Sequence, residues 1–541
     1  MINSKDLRPK DLGMRSDEQL IKLELDQLIP LLAPYDKPGM QSQLTDPKPA
    51  WKEKYCTTLD GYVGIGTLVR PKTKEEEDEF VRSFLRGLEK IFSDANNGVL
   101  QPLLLTYDYC AKCDTCSSAC HVYEATGDNE MYRPIFRSEV LRKIMKKYFT
   151  TSGKLLGSFV GADIDVNWET IARLGELSYR CNLCRRCAQT CPLGLDNSLL
   201  AKEIRKIFSQ EMGIAPTPIH AKGTMNQLKT GSSTGLTKAA FLDTLEFLEE
   251  DTEERFGIKL KFPVDKKGAD ILLIHNAGEF IAWPENPVAF AILMNAAGLN
   301  WTLSSEILGY DSVNYGLWYD DPMAKKLAVG QMKVAKDLGV NRMIMGECGH
   351  AHKAAAVVAD RMNLADGKIP VESCFPMFWD IVKNKRVKFD PSKNNFPVTL
   401  HDPCNVVRQM GIVEPQRNVV KALCPQFREM APHGTENYCC GGGSGFAIMN
   451  DANFPEFRTQ IASRVKFNQI LGAFKDEIAD PSIVKYICAP CSNCKGAMRG
   501  ILEHYDATEK FNLQYSGLVE LMVNAMVDLK VPFFEFLEEK E

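Results

Sequence analysis

No stretch of this 541-residue chain approaches the roughly 18 consecutive apolar residues that a bilayer-crossing helix needs. The most apolar windows, Ile271–Ile274 and Val288–Leu299, are soon interrupted by Asn, Glu or Pro, so any membrane role is expected to be peripheral. Charge of one sign is equally scarce. The 65 basic and 70 acidic residues are well mixed and leave a formal net charge of -5, which offers no footprint for a polyanion and argues against a nucleic-acid partner. The segment Met1–Pro30 is charged throughout and lacks the basic-then-apolar order of an export signal. A Gly-x-Gly-x-x-Gly dinucleotide fingerprint is also missing.

Cysteine is what the chain has in excess. There are 18, most of them in tight groups, in a chain far longer than a disulfide-stapled secreted domain. Spacing of this kind points to metal and to a reducing compartment. The length predicts two to four domains.

Helical spacing of Phe80, Phe84, Leu85, Leu88 and Phe92 predicts an amphipathic helix over Lys74–Phe92. A second helix is expected over Asn197–Met212, followed by a linker through Gly213–Pro218 and the Gly/Ser/Thr-rich run Lys229–Thr237. From Asp270 the texture changes. Buried strands are expected at Ile271–Ile274, Arg342–Met345, Val398–Leu400 and Val484–Ile487, with helices such as Met323–Leu338 and Phe454–Leu471 between them, an α/β alternation. This half reads as a duplication. The first copy contains Gly309, Gly316 and Glu347-Cys348-Gly349-His350; the second contains Cys404, Cys439-Cys440-Gly441-Gly442-Gly443 and Cys491-Ser492-Asn493-Cys494. The expected division is 1–100, an N-terminal, partly helical extension; 101–212, a helical ferredoxin-like module; 213–267, linker and helix; 268–397, a degenerate first copy; and 398–541, the cysteine-bearing copy with a C-terminal helix.

Two runs carry the strongest signal: Cys110-x-x-Cys113-x-x-Cys116-x-x-x-Cys120 and Cys181-x-x-Cys184-x-x-Cys187-x-x-x-Cys191-Pro192. Three thiolates two residues apart wrap one face of an iron–sulfur cube, and the fourth reaches the neighbouring cube. Cys110, Cys113, Cys116 and Cys191 are therefore expected to hold one [4Fe-4S] cluster, and Cys181, Cys184, Cys187 and Cys120 the other. Zinc is the alternative, but it rarely uses two matched quartets. The residues between the runs carry Arg137, Arg142, Lys143, Lys146 and Lys147, read as a solvated helix face in preference to a docking patch.

Cys404, Cys439, Cys440, Cys491 and Cys494 form a second constellation. Adjacent thiols diverge from one backbone and suit two different irons better than one closed tetrahedral site, and the glycines admit close approach. Core cysteines or a zinc site are the plainer reading. The pattern resembles the Cys-Cys-Gly (CCG) domain of heterodisulfide reductases (Hdr), and the order of modules over residues 100–541 resembles their HdrD component, particularly its DsrK-like members. That resemblance implies an open, noncubane [4Fe-4S] cluster on these five cysteines. It also implies a cytoplasmic, membrane-peripheral catalytic subunit of a DsrMKJOP-type complex. Electrons would come from a DsrM-like cytochrome b, and the substrate would be the disulfide or trisulfide of the small sulfur carrier DsrC in dissimilatory sulfur metabolism. Two departures stand out: fifty residues separate Cys440 from Cys491, more than the family pattern, with Cys488 a rival for the last two ligands, and of the first copy's expected cysteines only Cys348 survives.

Cleaving a disulfide takes two electrons, which cubanes deliver singly; a metal site that holds sulfur between the two deliveries solves that mismatch. His433 and Lys495 lie near the motif and are expected to be ordinary surface residues. Cys56, Cys374 and Cys424 read as buried small hydrophobes, His350 and His352 as structural. Gly517–Leu529 reads as a core helix. Rival readings are an electron-transfer subunit of a flavin-linked glycolate, lactate or glycerol-3-phosphate dehydrogenase, and a non-catalytic scaffold with structural zinc.

Overall fold

The computed structural model describes residues 65, 67–96, 99–127, 129–306, 311, 313–358, 369–446, 448–449 and 457–537. Cys56 and Gly309 lie outside the described residues. The amphipathic helix forms over Lys74–Ile91, started by Thr73, whose side chain accepts from Glu76 N, and by acidic residues in the first turn. Its apolar face packs with Trp168–Tyr179 and Asn197–Met212 into one core.

The α/β half consists of two four-stranded sheets. Strands β1 (Ile271–Ile274), β2 (Trp301–Thr302), β3 (Arg342–Met345) and β4 (Val371–Ser373) lie in the order β2-β1-β3-β4. Strands β5 (Val398–Leu400), β6 (Phe427–Arg428), β7 (Lys485–Cys488) and β8 (Leu513–Ser516) repeat it as β6-β5-β7-β8. Every pairing is parallel. In this order the chain switches direction between the first and third strands, which opens a crevice at their carboxyl ends. The residues that follow β5 and β7 there are His401–Cys404 and Ala489–Cys494; those that follow β1 and β3 are His275, Asn276 and Gly346–Gly349.

The two units share one hydrophobic core. Phe290 and Leu293 of helix Glu285–Ala296 sit in the same cluster as Leu518, Leu521, Met522, Ala525 and Met526 near the carboxyl end of the chain. The C-terminal segment therefore packs into the seam between units; its helix is short, Val519–Asn524.

Two expectations need correction. Between the two runs read as a linker the chain is helical, Pro218–Met225 and Asn226–Thr230, and the second run is packed in place, Ser233 N and Oγ donating to buried Asp311 at 2.7 and 2.8 Å. The basic stretch is solvated only in part, Lys146 being exposed and Lys143 half-exposed. Arg137 is buried, Arg142 donates to Tyr107 O and Thr106 O, and Lys143, Lys146 and Lys147 reach Asp163, Val160 O and Ile164 O. Residues 160–164 thus take three of these cations, one of them through the Asp163 carboxylate.

Candidate iron–sulfur centres

In each four-cysteine run the residues flanking the middle cysteine are left-handed without being glycine: Lys112 and Asp114 around Cys113, Leu183 and Arg185 around Cys184. Such φ values cost energy and recur where a loop must be curled about something. They bend both loops the same way. The loops then exchange their fourth cysteines in space: Cys116 is flanked by Cys110 and Cys191, while Cys187 is flanked by Cys181, Cys184 and Cys120. Burial pushes the Cys116 thiol up to about 11 and that of Cys120 up to about 12, and neighbouring thiolates add to both shifts. Protein alone disfavours ionising these thiols, and a polycationic iron–sulfur core reverses that balance. The donor set fits such a core. Cys113 is exposed and Cys116 and Cys187 are buried, so the first group lies nearer the surface.

The five CCG cysteines converge as a buried cluster. Cys404 hydrogen-bonds with Cys439, Cys440 Sγ stands 3.2 Å from Cys494 Sγ, and Cys491 contacts Cys494. None is more than 8% exposed, and the 8% is at Cys404. Strand β5 and the π-helical turn Asn405–Gln409 position Cys404, and the amino end of helix Ser492–His504 positions Cys494. The glycine run is a matter of contact: a Cβ on Gly442 would collide with Asn493 O, and one on Gly443 would lie 2.9 Å from Asn182 O. All-sulfur, water-excluded and holding five thiols, the set fits an iron–sulfur group larger than a single tetrahedral ion.

Cys488 points elsewhere. Strand alternation carries it into the sheet-spanning core with Leu400 and Cys424, away from Cys440. Cys488→Ala is expected to leave iron content unchanged and to lower stability by about 1–2 kcal/mol for the lost packing, read by iron analysis and thermal melting. Cys374 and Cys424 are buried in that core. His350 and His352 are buried and bond Asn314 O, Cys348 O and Ser373 Oγ. His433 is exposed.

The two sets of thiols touch. Cys184 hydrogen-bonds with Cys439, a contact that pulls Cys184 well below the ordinary thiol range. Asn182 Nδ2 donates to Gly441 O at 2.9 Å beside it. Three arginines close this junction. Arg186 donates to Glu436 O and Ala119 O, Arg205 to Ser178 O and Cys181 O, and Arg408 to Cys184 O, Thr435 O and Asn437 O. All three are buried, and a carboxylate whose charge acts on Arg186 is that of Glu124. Buried cations are costly unless something negative sits close by, and thiolate-ligated clusters would supply that charge.

Sequence reasoning missed His401 and Lys466 and misplaced Lys495. His401 Nε2 lies 3.2 Å from Cys494 Sγ, and His401, Cys440 and Cys494 could together hold a metal. Lys466 Nζ donates to Asn437 Oδ1 at 2.6 Å, and Asn437 Nδ2 faces His401 Nδ1 at 3.3 Å. That order leaves the imidazole proton on Nε2, aimed at sulfur. His401 was findable as the residue directly after the strand that leads to Cys404; Lys466, far away in sequence, carried no signal. Lys495 is fully buried, its ammonium 3.3 Å from Glu279 Oε1.

Residues 106–195 match the 4Fe-4S dicluster domain family, and residues 398–499 match the cysteine-rich CCG domain family. The chain is similar to the Hdr-like menaquinol oxidoreductase iron-sulfur subunit 2 of Archaeoglobus fulgidus, 26% identical over 487 residues, covering 81% of this chain and 83% of that one. An Hdr-like menaquinol oxidoreductase iron-sulfur subunit of Archaeoglobus profundus is 28% identical over 384 residues, 62% of this chain and 67% of the relative. The HdrD component of the dihydromethanophenazine:CoB–CoM heterodisulfide reductase of Methanosarcina acetivorans is 25% identical over 373 residues, 67% of this chain and 84% of its own. No solved structure matches. Among the described residues no helix is long and apolar enough to cross a membrane.

Proposed function

We propose that this chain, an iron–sulfur oxidoreductase subunit of the HdrD-like, CCG type, conducts electrons to the CCG cysteines and there cleaves or forms a sulfur–sulfur bond. The contact of Cys184 with Cys439 carries this reading, because it makes the inner ferredoxin-type group and the CCG group immediate neighbours. In this reading Cys110, Cys113, Cys116 and Cys191 hold one cubane [4Fe-4S] cluster and Cys120, Cys181, Cys184 and Cys187 a second. Cys404, Cys439, Cys440, Cys491 and Cys494 hold a noncubane [4Fe-4S] cluster. When bound, the clusters supply one-electron transfer and an iron open to a sulfur ligand. The chain supplies the rest: His401 Nε2–H and Gly349 N–H stabilise charge on the sulfurs of Cys494 and Cys491, and the arginines offset the negative charge at the junction.

The substrate proposed is a protein-borne disulfide or trisulfide such as that of DsrC. The electron donor is a quinol-oxidising membrane cytochrome b, DsrM-like, within a DsrMKJOP-type complex on the cytoplasmic face. The names of the Archaeoglobus relatives, which carry menaquinol oxidoreductase, support the quinol link.

Metal and sulfide analysis of anaerobically purified protein is expected to give about twelve irons per chain. Electron paramagnetic resonance of the oxidised protein is expected to show an S = 1/2 signal that changes when a thiol-bearing partner is added. Zinc in place of iron, or a spectrum indifferent to thiol, would overturn the proposal.

A further inference from the structure

Reducing a disulfide consumes protons as well as electrons: R–S–S–R′ + 2 e⁻ + 2 H⁺ gives R–SH and R′–SH. The sulfur–sulfur bond breaks, two S–H bonds form, and the electrons arrive through the clusters. Alkyl thiols hold their protons at neutral pH, so a site sealed from water needs a route for them. One hydrogen-bonded chain, Lys466–Asn437–His401, ends on Cys494 Sγ, but Lys466 at its far end is itself fully buried.

Beside the CCG cysteines, in the seam between the two α/β units, three carboxylates lie fully buried with a single ammonium. They are Glu279 from the turn after β1, Glu347 after β3, and Glu520 at the start of the C-terminal helix; the cation is Lys495. Lys495 Nζ stands 3.3 Å from Glu279 Oε1 and 3.9 Å from Glu520 Oε1. Glu347 and Glu520 face each other across Gly517: a Cβ there would collide with Glu347 Oε2 and lie 2.5 Å from Glu520 Oε2. Asn286 Nδ2 links the same pair at 3.4 and 2.9 Å. Two carboxylates so placed in a dry interior repel each other's charge, so a proton on either relieves the pair.

The group has two ends. At the inner end the Ser492 hydroxyl donates to Glu279 Oε1 at 2.8 Å, and Ser492 directly follows Cys491. At the outer end the Ser516 hydroxyl donates to Glu520 Oε1 at 2.9 Å. Ser516 and Glu285 both line a surface cavity of about 430 Å³. Burial and the nearby Glu520 carboxylate push Glu285 up to about 7, and burial with Glu520 pushes Glu347 well above the carboxylate range. The other titratable groups facing the cluster are His275 after β1, Cys348 after β3, Cys374 on helix Cys374–Lys383 and Tyr486 and Cys488 on β7, with Asp251, Arg255, Tyr515 and Glu535 at the cavity.

We propose that Glu285, Glu520, Glu347 and Glu279 form a proton relay that runs from this cavity to the sulfur chemistry at the CCG cysteines. The inference rests on the disulfide function proposed above and adds its proton path. The carboxylates touch no substrate; they deliver the two protons of the balance, or remove them when the bond is formed. Sequence alone spreads these residues over more than two hundred positions and shows no motif.

The test uses the full, cluster-loaded chain, a reduced viologen as electron donor and two probe disulfides. Hydroxyethyl disulfide yields alkyl thiols that must be protonated. The aromatic disulfide 5,5′-dithiobis(2-nitrobenzoate) leaves as stable thiolates that need no proton. Glu520→Gln and Glu347→Gln are expected to slow the alkyl probe at least about tenfold while leaving the aromatic one within about twofold. Infrared spectra of the same proteins, which need no turnover, are expected to show a protonated-carboxyl band that shifts in D₂O and is lost in either variant. Equal slowing of both probes would mark a structural role and overturn the relay, as would an active wild type without the carboxyl band. A wild type inert toward both disulfides would overturn the function itself and the relay's purpose with it.

Discussion

Cys440→Ser is expected to abolish the thiol-responsive paramagnetic signal and to reduce disulfide turnover to background, while the ferredoxin-type clusters stay reducible. Cys440 sits at the centre of its group, hydrogen-bonded with Cys439, Cys494 and His401, and those contacts hold its thiol well below the ordinary range. A serine oxygen is hard, bonds iron poorly at neutral pH and shortens the reach. The swap nearly conserves volume, so the fold is expected to lose only about 1–2 kcal/mol. Reduction by dithionite, followed by electron paramagnetic resonance, separates the outcomes: an unchanged thiol response would remove Cys440 from the site. Loss of every cluster would show that the CCG loop is needed for assembly of the whole chain.

Arg408→Met is expected to lower the temperature of cluster loss by several degrees, with a destabilisation of about 2–4 kcal/mol for the charge-assisted hydrogen bonds lost to three buried carbonyls. The guanidinium holds Cys184 O at 2.7 Å, Thr435 O at 2.9 Å and Asn437 O at 2.8 Å. It therefore joins the loop of one iron–sulfur run to the segment leading into Cys439-Cys440. Methionine fills the space but donates nothing, leaving three carbonyls buried without a partner. Arg408→Lys keeps the charge and loses the fork, and is expected to fall between the two. Melting followed by the visible absorbance of the clusters reads both variants. A melting curve equal to that of the parent protein would show that the junction is held by packing alone.

The positions of both predictions differ in how visible they were beforehand. Cys440 announces itself, since two adjacent thiols before three glycines have few other uses. Arg408 lies in an unremarkable polar stretch, and its partners sit 224 and 27 to 29 residues away. Half of the strands were legible as well: β1, β3 and β5 begin and end where expected and β7 is displaced by one residue, whereas the short flanking strands β2, β4, β6 and β8 were not expected. The helix expected over Phe454–Leu471 is instead a π-helical turn, Phe457–Ala462, followed by Arg464–Ala473. Apolar periodicity did not register the break, because both segments remain buried.

What the sequence determined by itself is local. Cysteine spacing sets where each loop curls, and the left-handed residues beside Cys113 and Cys184 follow from a three-residue repeat that must close on one centre. Runs of apolar residues set the strands, because backbone groups in a dry core must pair. The tertiary structure decided which surfaces meet. It set Cys184 against Cys439, and the first α/β unit against the second, so that Gly349 N reaches Cys491 Sγ at 3.2 Å. It buried Lys495 among Glu279, Glu347 and Glu520, turned His401 toward Cys494, and gave the basic stretch to the chain's own carbonyls. These contacts span tens to hundreds of residues. Their energies come from desolvation and charge pairing in a shared interior, quantities that exist only once the units are packed together.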